Sequence, residues 1–458
     1  MKPWLVRRLI YPLHERLLRR PTFAYLKSLE ASQWLDREAL ERLQMEKLRA
    51  LLRTAHAHTP WYRRLIDAAG IDLDGPMNLE VLRRLPTMDK ATAREHGDEM
   101  VWREVPGGAQ PYNTGGSSGE PLRFHFGRWR QASDAAGRMR ARRWWGVEVG
   151  DREVYLWGAP VELNKTDRIK TIRDRLFNQL VLNAFEMSRP AMDQYLEAIR
   201  AWRPACIYGY ASSLALLATH AKERGRRLKL PELKVVCTTG EPLYPHQREI
   251  IQEVFGVPAA NEFGSRDIGF TAHETPEGEM LLMSESIILE VLDPEGRPVA
   301  PGETGEAVMT ALCSEAQPFV RYRTGDLVTL AERRDPAGRG LHVIDAVAGR
   351  STDFVVRPDG TIMHALAVIY EIRDKPGVAA FKFIQEDLHH SRVLVVPDER
   401  WRPDASERAL VRDLQARLGD QVAVTIELVE RIPAEASGKY RYVVSHIADQ
   451  LLQQGTES

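Results

Sequence analysis

From about residue 110 onward, strand-like and helical segments alternate along the sequence, and this alternation limits the fold more than any other feature. Runs rich in β-branched and aromatic residues, such as REVYLWG and KVVCTTG, alternate with runs of helical periodicity, such as AMDQYLEAIRAW and SLALLATHAKERG. This order of segments predicts an α/β sheet protein. Residues 30 to 100 are predicted to be helical instead, because the leucines of DREALERLQMEKLRALLRTAHAH fall on one broad stripe.

The length of 458 residues predicts more than one folding unit. A boundary is predicted near VAGRSTDF at residues 347–354, because the strands and helices that follow have the size of a small α+β domain. We therefore expect an N-terminal domain over residues 1–349, in which residues 1–100 are a largely helical lead-in, and a C-terminal domain over residues 350–458.

The composition is that of an ordinary globular protein, with 43% hydrophobic and 28% charged residues. The 63 Lys and Arg residues balance 64 Asp and Glu residues, which leaves a formal charge of −1. No overall field would attract nucleic acid, so we expect no nucleic-acid partner and only local anion sites. Three distant cysteines fit neither a disulfide framework nor a metal motif, and they favour a cytoplasmic protein: Cys206, Cys237 and Cys313.

The N-terminal segment MKPWLVRRLIYPLHERLLRRP is basic and amphipathic, but its apolar runs are too short for a membrane span. It also has no small-residue cleavage site of a signal peptide. The simpler interpretation is a helix packed on its own domain. The alternative is peripheral membrane contact, for which the segment offers apolar and basic residues at helical spacing: Leu5, Ile10, Leu13 and Leu17 beside Arg7, Arg8, Arg16, Arg19 and Arg20.

The segment YNTGGSSGEP at residues 112–121 is dense in glycine and hydroxyl residues. Such a loop turns many backbone N–H groups and hydroxyls toward one point, as phosphate oxygens require. It is not a Walker loop, because Gly119 is followed by Glu120 and Pro121 rather than by lysine. The following LRFHF alternates like a strand, so a strand-loop-strand unit is expected. Taken alone, the loop could equally be a surface linker.

Five further segments follow the glycine-rich loop in order: TTGEPL (238–243), NEFGSRDIG (261–269), RYRTGDL (321–327), AGR (348–350) and PAEASGKYR (433–441). Together they resemble the adenylate-forming superfamily of acyl-CoA synthetases, adenylation domains and luciferases. The greatest similarity is to its phenylacetate-CoA ligase-like group, and there to the branch found in capsular polysaccharide biosynthesis. The resemblance implies a large N-terminal domain of β-sheets flanked by helices plus a small β-barrel, with a small mobile C-terminal α+β domain.

The resemblance assigns ATP to the N-terminal domain. Backbone and hydroxyl groups of the glycine-rich loop would hold its β,γ-phosphates: Thr114, Gly115, Gly116, Ser117, Ser118 and Gly119. The TTGEPL segment would border the adenine with Gly240 and Glu241.

In NEFGSRDIG, an aromatic ring followed by glycine can lie flat on a purine while the chain turns sharply. Phe263 and Gly264 fit this role, and Asp267 fits a ligand of Mg²⁺ at the phosphates. Arg266 stands where the family has a hydroxyl residue, and it could contact the α-phosphate. The alternative is that Phe263 belongs to the core and that the Arg266 and Asp267 pair lies on the surface.

Two charged positions follow. In RYRTGDL, Asp326 resembles the carboxylate that accepts both ribose hydroxyls, although TGD is also common turn chemistry. Arg350 stands where the family places its ribose- and hinge-associated arginine. Lys439, on the glycine-containing C-terminal loop, resembles the lysine that bridges the carboxylate and the α-phosphate during adenylation; its alternative is an exposed loop lysine.

The resemblance leaves the acid and the acceptor open. Aromatic and glycine residues near two strands are candidate walls of the acyl pocket, although they could also be core: Trp157, Tyr208, Gly209 and Tyr210. The acceptor is either a thiol, of coenzyme A or a carrier protein, or an amine. No metal other than Mg²⁺ is expected, because His273 and Glu274 have no cysteine nearby.

The expected reaction joins a carboxylic acid and ATP to give an acyl-adenylate and pyrophosphate, after which the acyl group passes to the acceptor. A rival interpretation is a nucleotide-binding scaffold with little catalytic activity in a polysaccharide assembly. A Walker-type kinase is disfavoured by the missing GK[ST].

Overall fold

The computed structural model of the protein describes residues 1–113, 122–157, 165–184, 187–350, 354–359, 362–364, 366–373, 375–432 and 442–447. Within residues 1–100 the regular elements are helical, apart from an isolated bridge at Met88. Side chains cap three of these helices: Asp36, Asn78 and Asp89 each accept a backbone N–H of the first turn. The seven helices are α1 (Pro3–Leu5), α2 (Tyr11–Leu17), α3 (Thr22–Ser32), α4 (Arg37–His58), α5 (Pro60–Ala68), α6 (Leu79–Arg83) and α7 (Lys90–Glu95). A π-helical turn at Val6–Ile10 joins the first two, and a 3-10 turn spans Gly97–Met100.

The N-terminal helices pack on the rest of the protein. Val6 is fully buried, and the guanidinium of Arg7 donates to the carbonyl of Val149 at 2.9 Å. Tyr11 stacks on Phe177 with ring centroids 4.6 Å apart. None of the described helices is both long and apolar enough to cross a membrane.

A two-stranded antiparallel hairpin flanks the glycine-rich segment, as expected. β1 (Gln110–Asn113) pairs with β2 (Arg123–Phe126), and residues 114–121 between them lie outside the described residues. The long helix α8 (Arg128–Trp144) follows directly.

One sheet of eleven strands dominates the described part of the chain. Its strands are β3 (Glu153–Trp157), β4 (Gln179–Asn183), β5 (Cys206–Tyr210), β6 (Val235–Thr239), β7 (Ala259–Ser265), β8 (Gly269–Glu274), β9 (Met280–Leu282), β10 (Ile287–Leu292), β11 (Thr304–Ala311), β12 (Tyr322–Leu330) and β13 (Val343–Arg350). They lie in the order β10-β11-β12-β13-β9-β8-β7-β6-β5-β3-β4. The antiparallel strands β8 to β13 are thus hydrogen-bonded to the parallel strands in one sheet.

The part of this sheet from β4 to β7 is parallel. Its crossovers contain α9 (Lys165–Leu176), α10 (Arg189–Trp202), α11 (Ala211–Glu223) and α12 (Pro245–Phe255). Every residue of β5 and β6 is buried, as is typical of parallel strands covered on both faces. All four carboxyl ends of β3, β5, β6 and β7 therefore open on one edge of the sheet.

The C-terminal residues form a second sheet with its own core. β16 (Val378–Gln385), β17 (His390–Pro397), β18 (Ala423–Leu428) and β19 (Val443–Ser445) lie in the order β18-β17-β16-β19, with α13 (Leu366–Arg373) and α14 (Pro403–Leu418) against them. A short hairpin of β14 (Phe354–Val356) and β15 (Ile362–His364) precedes them. Tyr244 packs against this core, and its ring lies 6.3 Å from that of Tyr442.

Candidate active site at the carboxyl edge of the parallel strands

The carboxyl ends of the parallel strands bring several predicted residues together. β3 ends at Trp157, β5 ends at Tyr210, and Gly240 and Glu241 directly follow β6. Open α/β sheets bind their ligands in a crevice at this edge. The edge is therefore the candidate active site.

The predicted acyl-pocket residues form one aromatic wall on the face of the sheet that α8 covers. The ring of Trp157 stacks on Tyr210 at 4.5 Å and on Tyr208 at 5.6 Å. Gly209 lets the strands approach, because a Cβ atom there would lie 2.5 Å from the carbonyl oxygen of Leu156. Tyr208 and Tyr210 are buried, whereas Trp157 is half-buried at the strand end. The geometry is compatible with both a pocket wall and a core.

Glu262, which our sequence analysis did not single out, is the centre of a buried network beneath this wall. Its Oε1 accepts from the Tyr208 hydroxyl at 2.7 Å and from the Thr239 hydroxyl at 3.2 Å. Its Oε2 lies 3.7 Å from Nε of Arg138 on α8. Burial raises the pKa of Tyr208, and the Glu262 charge raises it further, so the hydroxyl stays a donor. Glu262 immediately precedes Phe263 inside the NEFGSRDIG segment, and that position was the available signal.

Arg266 and Asp267 lie in the turn between β7 and β8, and Phe263 and Gly264 lie near the end of β7. Phe263 is half-buried and packs against the large core cluster. Gly264 is required by close approach, because a Cβ there would lie 2.6 Å from the carbonyl oxygen of Gly269. Phe263 thus contacts the core and is only partly buried, which is compatible with both the purine-binding and the core interpretation.

Asp267 is buried, with 5% of its surface exposed, so it is not part of a surface ion pair. Its Oδ2 accepts from the hydroxyl of Tyr322 at 2.8 Å, and its Oδ1 accepts from the backbone N–H of Ile268 at 3.3 Å. No cluster of three metal-ligating side chains occurs among the described residues. A Mg²⁺ ion at Asp267 would therefore take one carboxylate and fill its shell with phosphate oxygens and water, which Mg²⁺ commonly does.

Arg266 reaches the hairpin that carries the glycine-rich segment. Its guanidinium lies 5.9 Å from the ring of Tyr112, and Nη1 donates to the carbonyl of Asn113 at 3.4 Å. The chain enters the glycine-rich segment at the next residue, so Arg266 adds a positive charge at its entrance. The six predicted phosphate-binding residues, Thr114 to Gly119, lie outside the described residues.

Arg130 of α8 fixes the backbone of the same turn. Its guanidinium donates to the carbonyl oxygens of Asp267 at 2.7 Å and of Arg266 at 3.1 Å. Its Nε donates to Asp134 at 2.8 Å, and Asp134 in turn accepts the backbone N–H of Phe270 at 3.0 Å. Both ends of the turn are thus tied to α8.

Gly240 has φ +76°, which favours glycine, and it turns the chain away from β6. The carboxylate of Glu241 accepts the backbone N–H of Ser212 at 2.9 Å, at the start of α11. The side chain of Glu241 therefore binds a helix terminus. Its predicted contact with the adenine would be made by its backbone.

Asp326 and Arg350 are directly opposite each other on β12 and β13. Asp326 is buried, and its backbone N–H donates to the hydroxyl of Thr324. Tyr322, four residues earlier on the same strand, is the hydroxyl donor to Asp267. The predicted ribose and Mg²⁺ positions are thereby connected. The side chain of Arg350 and all of Lys439 lie outside the described residues.

Comparisons with known proteins agree with this geometry. The family model of the CapK C-terminal domain matches residues 355–446. The phenylacetate-coenzyme A ligase of Thermus thermophilus is 25% identical, over 90% of this chain and 97% of that protein. Protein CapK of Staphylococcus aureus is 21% identical, over 80% of each chain. Among solved structures, 2-hydroxyisobutyryl-CoA ligase in complex with R3-HIB-AMP in the postadenylation state has a TM-score of 0.69 at 21% identity, over 93% of this chain and 94% of that one.

The relatives span nearly all of the chain, the family model covers its C-terminal part, and the solved structure has the same fold. The homologues of the chain are thus phenylacetate-coenzyme A ligases and CapK, and the chain shares the fold of 2-hydroxyisobutyryl-CoA ligase.

Proposed function

We propose that the protein is an AMP-forming carboxylate ligase, which activates a carboxylic acid with ATP to give an acyl-adenylate and pyrophosphate. One observation carries the proposal: the 2.8 Å hydrogen bond from Tyr322 to Asp267 joins the strand of Asp326 to the turn of Arg266 and Asp267. Two segments that we assign to the nucleotide thus contact each other. The nearly full-length similarity to a phenylacetate-coenzyme A ligase supports the same reaction.

In this proposal the described residues divide the work around ATP. Phe263 presents a partly exposed ring to the purine, and Asp326 accepts the ribose hydroxyls. Arg266 supplies positive charge beside the phosphates, where negative charge develops as pyrophosphate leaves. Bound Mg²⁺ would neutralise phosphate charge, with Asp267 as its protein ligand. The C-terminal domain, residues 350–458, would bring Lys439 to the reacting carboxylate.

Coenzyme A is the acceptor we favour, because the relatives of highest coverage are named as coenzyme A ligases. A carrier-protein thiol or an amine would use the same acyl-adenylate. The acceptor is distinguished by supplying each one to enzyme, ATP and an accepted acid, and by identifying the acylated product by mass spectrometry.

The experiment that tests the function is exchange of labelled pyrophosphate into ATP, screened over a library of carboxylic acids. Exchange that depends on one class of acid is expected. The rival function is a nucleotide-binding scaffold in polysaccharide biosynthesis, which the similarity to CapK favours. ATP binding measured by calorimetry without exchange for any acid would support the scaffold and contradict the ligase.

We also propose peripheral membrane contact through the N-terminal helices of a cytoplasmic protein. Four apolar side chains are more than half exposed: Trp4, Leu9, Leu13 and Leu17. Leu13 and Leu17 belong to the predicted apolar set, whereas Leu5 and Ile10 are half-buried and Trp4 and Leu9 are exposed in their place. With the nearby arginines they suit an anionic lipid surface. Sedimentation with phosphatidylglycerol vesicles should capture the protein, and L13E/L17E should weaken capture; equal capture of both would exclude this contact.

A further inference from the structure

A polar cavity of about 120 Å³ lies between α8 and the amino-terminal half of β3, on the side of the aromatic wall away from the strand ends. It has room for several water molecules or for a small polar group. The polar residues of its lining come from four different elements and from the loop before β3: Tyr11, Arg138, Arg142, Glu148, Glu153, Tyr155 and Gln179.

Arg142 is the unusual member of this lining. Its side chain is only 4% exposed, and its Nε lies 3.4 Å from Glu153. Neither of its terminal nitrogens, Nη1 and Nη2, has a hydrogen-bond partner in the described part of the chain. Its guanidinium lies 4.8 Å from the ring of Tyr208, which compensates for some of the burial. A buried charge with unpaired donors is costly, so the open N–H groups call for an oxygen acceptor.

The carboxylates of the same lining are already paired. Glu153 accepts from the Tyr155 hydroxyl at 3.1 Å as well as facing Arg142. Glu148 lies 3.2 Å from Arg143 and 3.7 Å from Arg7. The unsatisfied groups in the cavity are therefore the N–H donors of Arg138 and Arg142, which an oxygen acceptor would satisfy.

Arg138 connects the cavity to the candidate active site. Its Nε lies 3.7 Å from Glu262, which directly precedes Phe263. Its side chain is 36% exposed, whereas that of Glu262 is 4% exposed. Arg138 therefore lies between the cavity, which it lines, and the segment of the proposed nucleotide site.

We propose that this cavity receives the distal end of the acid substrate, and that this end carries a second carboxylate held by Arg142. The proposal rests on the proposed ligase function and names its substrate class, a dicarboxylic acid. A planar guanidinium with two free NH₂ groups can bind a carboxylate in bidentate geometry. β3 spans about 13 Å from Glu153, beside the cavity, to Trp157, at the reacting edge. A diacid of roughly eight carbons has the matching length.

The test compares suberate with octanoate, which has the same number of carbons and one carboxylate fewer, in the pyrophosphate exchange assay. We expect wild-type kcat/KM to be at least tenfold higher for suberate. R142M should lose most of this preference, and R142K should recover part of it. R152M is the matched control, because Arg152 is exposed and binds the carbonyl of Trp202 outside the cavity; it should keep the wild-type preference.

R142M leaves Glu153 without its arginine, so a folding defect must be separated from lost recognition. R142M/E153Q removes the remaining charge, and melting temperatures check both variants. A double variant that melts like wild type and still prefers suberate as strongly as wild type does would overturn the proposal.

Calorimetric titration of suberate into the protein without ATP distinguishes the substrate class from the function. Suberate binding that is lost in R142M, even without exchange for any acid, would support the cavity assignment and contradict the ligase function. Exchange that proceeds as well with octanoate as with suberate would support the ligase and overturn the assignment. Absence of both binding and exchange would overturn both.

Discussion

Asp326 is a buried carboxylate on a strand, and burial of a charge is costly unless it is paired. Its neighbour across the ladder is Arg350, and Tyr322 on the same strand reaches Asp267. The Asp326 carboxylate could therefore stabilise the strands or bind the ribose of ATP. Only the second role predicts weaker ATP binding when the carboxylate is removed.

Replacement of Asp326 by alanine tests the ribose role. The carboxylate would lose two charge-assisted hydrogen bonds to the nucleotide, each worth about 1.5–3 kcal/mol. ATP should bind at least tenfold more weakly in calorimetric titration, whereas the affinity for the carboxylic acid substrate should not change. D345A is the matched control, because Asp345 lies on the neighbouring strand and forms an exposed pair with Arg333. Unchanged ATP affinity in D326A would remove Asp326 from the nucleotide site.

At the scale of residues, the sequence predicted those whose role is visible in a short motif. Trp157, Tyr208 and Tyr210 were grouped as one wall, and they do stack on one another. Glu262 and Tyr322 were missed, because their partners lie 54 and 55 positions away in the chain. No local pattern predicts such pairs, which arise when separate strands enter one sheet.

Among the elements, α8 is the one that fixes the nucleotide motif. Arg130 in its first turn binds two carbonyl oxygens of the β7–β8 turn, and Asp134 one turn later binds the next backbone N–H. These contacts hold the backbone of Arg266 and Asp267, the residues that we assign to the phosphates and to Mg²⁺. Arg130 is therefore a positioning residue that acts through the turn.

Substitution of Arg130 by methionine should loosen this turn. The loss of its buried hydrogen bonds should lower the free energy of unfolding by about 1–3 kcal/mol. The kcat of pyrophosphate exchange should fall more than the KM for ATP rises, because the phosphates, rather than the adenosine, lose their ligands.

R143M provides the comparison on the same helix, since Arg143 pairs with Glu30 and Glu148 away from the turn. R143M should lower the free energy of unfolding. It should not lower the kcat of pyrophosphate exchange more than it raises the KM for ATP. If R130M and R143M affect exchange equally, the turn has no special dependence on α8.

Element types were more predictable than their connections. The strand after the glycine-rich segment was predicted from the alternation in LRFHF, and β2 confirms it. The π-helical turn at Val6–Ile10 was not predicted, because helical periodicity in a short segment does not distinguish 3.6 from a wider turn. The strands from β9 to β13 join the main sheet through pairings between segments that are far apart in the chain. A local sequence pattern does not predict such pairings.

At the scale of the molecule, the described residues form separate hydrophobic cores, two large ones on the eleven-stranded sheet and another on the four C-terminal strands. Tyr244, directly before α12, packs against the C-terminal core. The contact lies just after Glu241 in the chain. A rearrangement of the C-terminal part would therefore change the contacts of Tyr244, which lies beside the proposed adenine site.

Lys439→Ala tests such a rearrangement, because the proposed lysine acts only in the adenylating arrangement. Adenylate formation should fall by about 10²-fold or more, as with other lost electrostatic donors. Transfer from a synthetic acyl-adenylate to the acceptor should be retained, and ATP affinity should not change. Single-turnover measurements of each half-reaction, with melting temperatures, are the check. A wild-type rate of adenylation, or equal damage to both half-reactions, would count against the moving lysine.

The superfamily and the α/β fold could be predicted, because six ordered motifs extend over nearly the whole chain. The acid could not be predicted, since the arginines that line the cavity sit on α8, in ordinary helical sequence between the motifs. Their significance arises only from their position against β3.

Gly209 has a consequence for the evolution of substrate range. The strands at this glycine are so close that any larger residue would push Leu156 and β5 apart. Position 209 therefore cannot accept a larger side chain that would narrow the pocket. The side chains of α8 that face the cavity are not confined by a backbone contact of this kind, although Arg138 and Arg142 face Glu262 and Glu153. Variant libraries aimed at new acids should be built on the helix at Ala135, Arg138 and Arg142, and the sheet should be left unchanged.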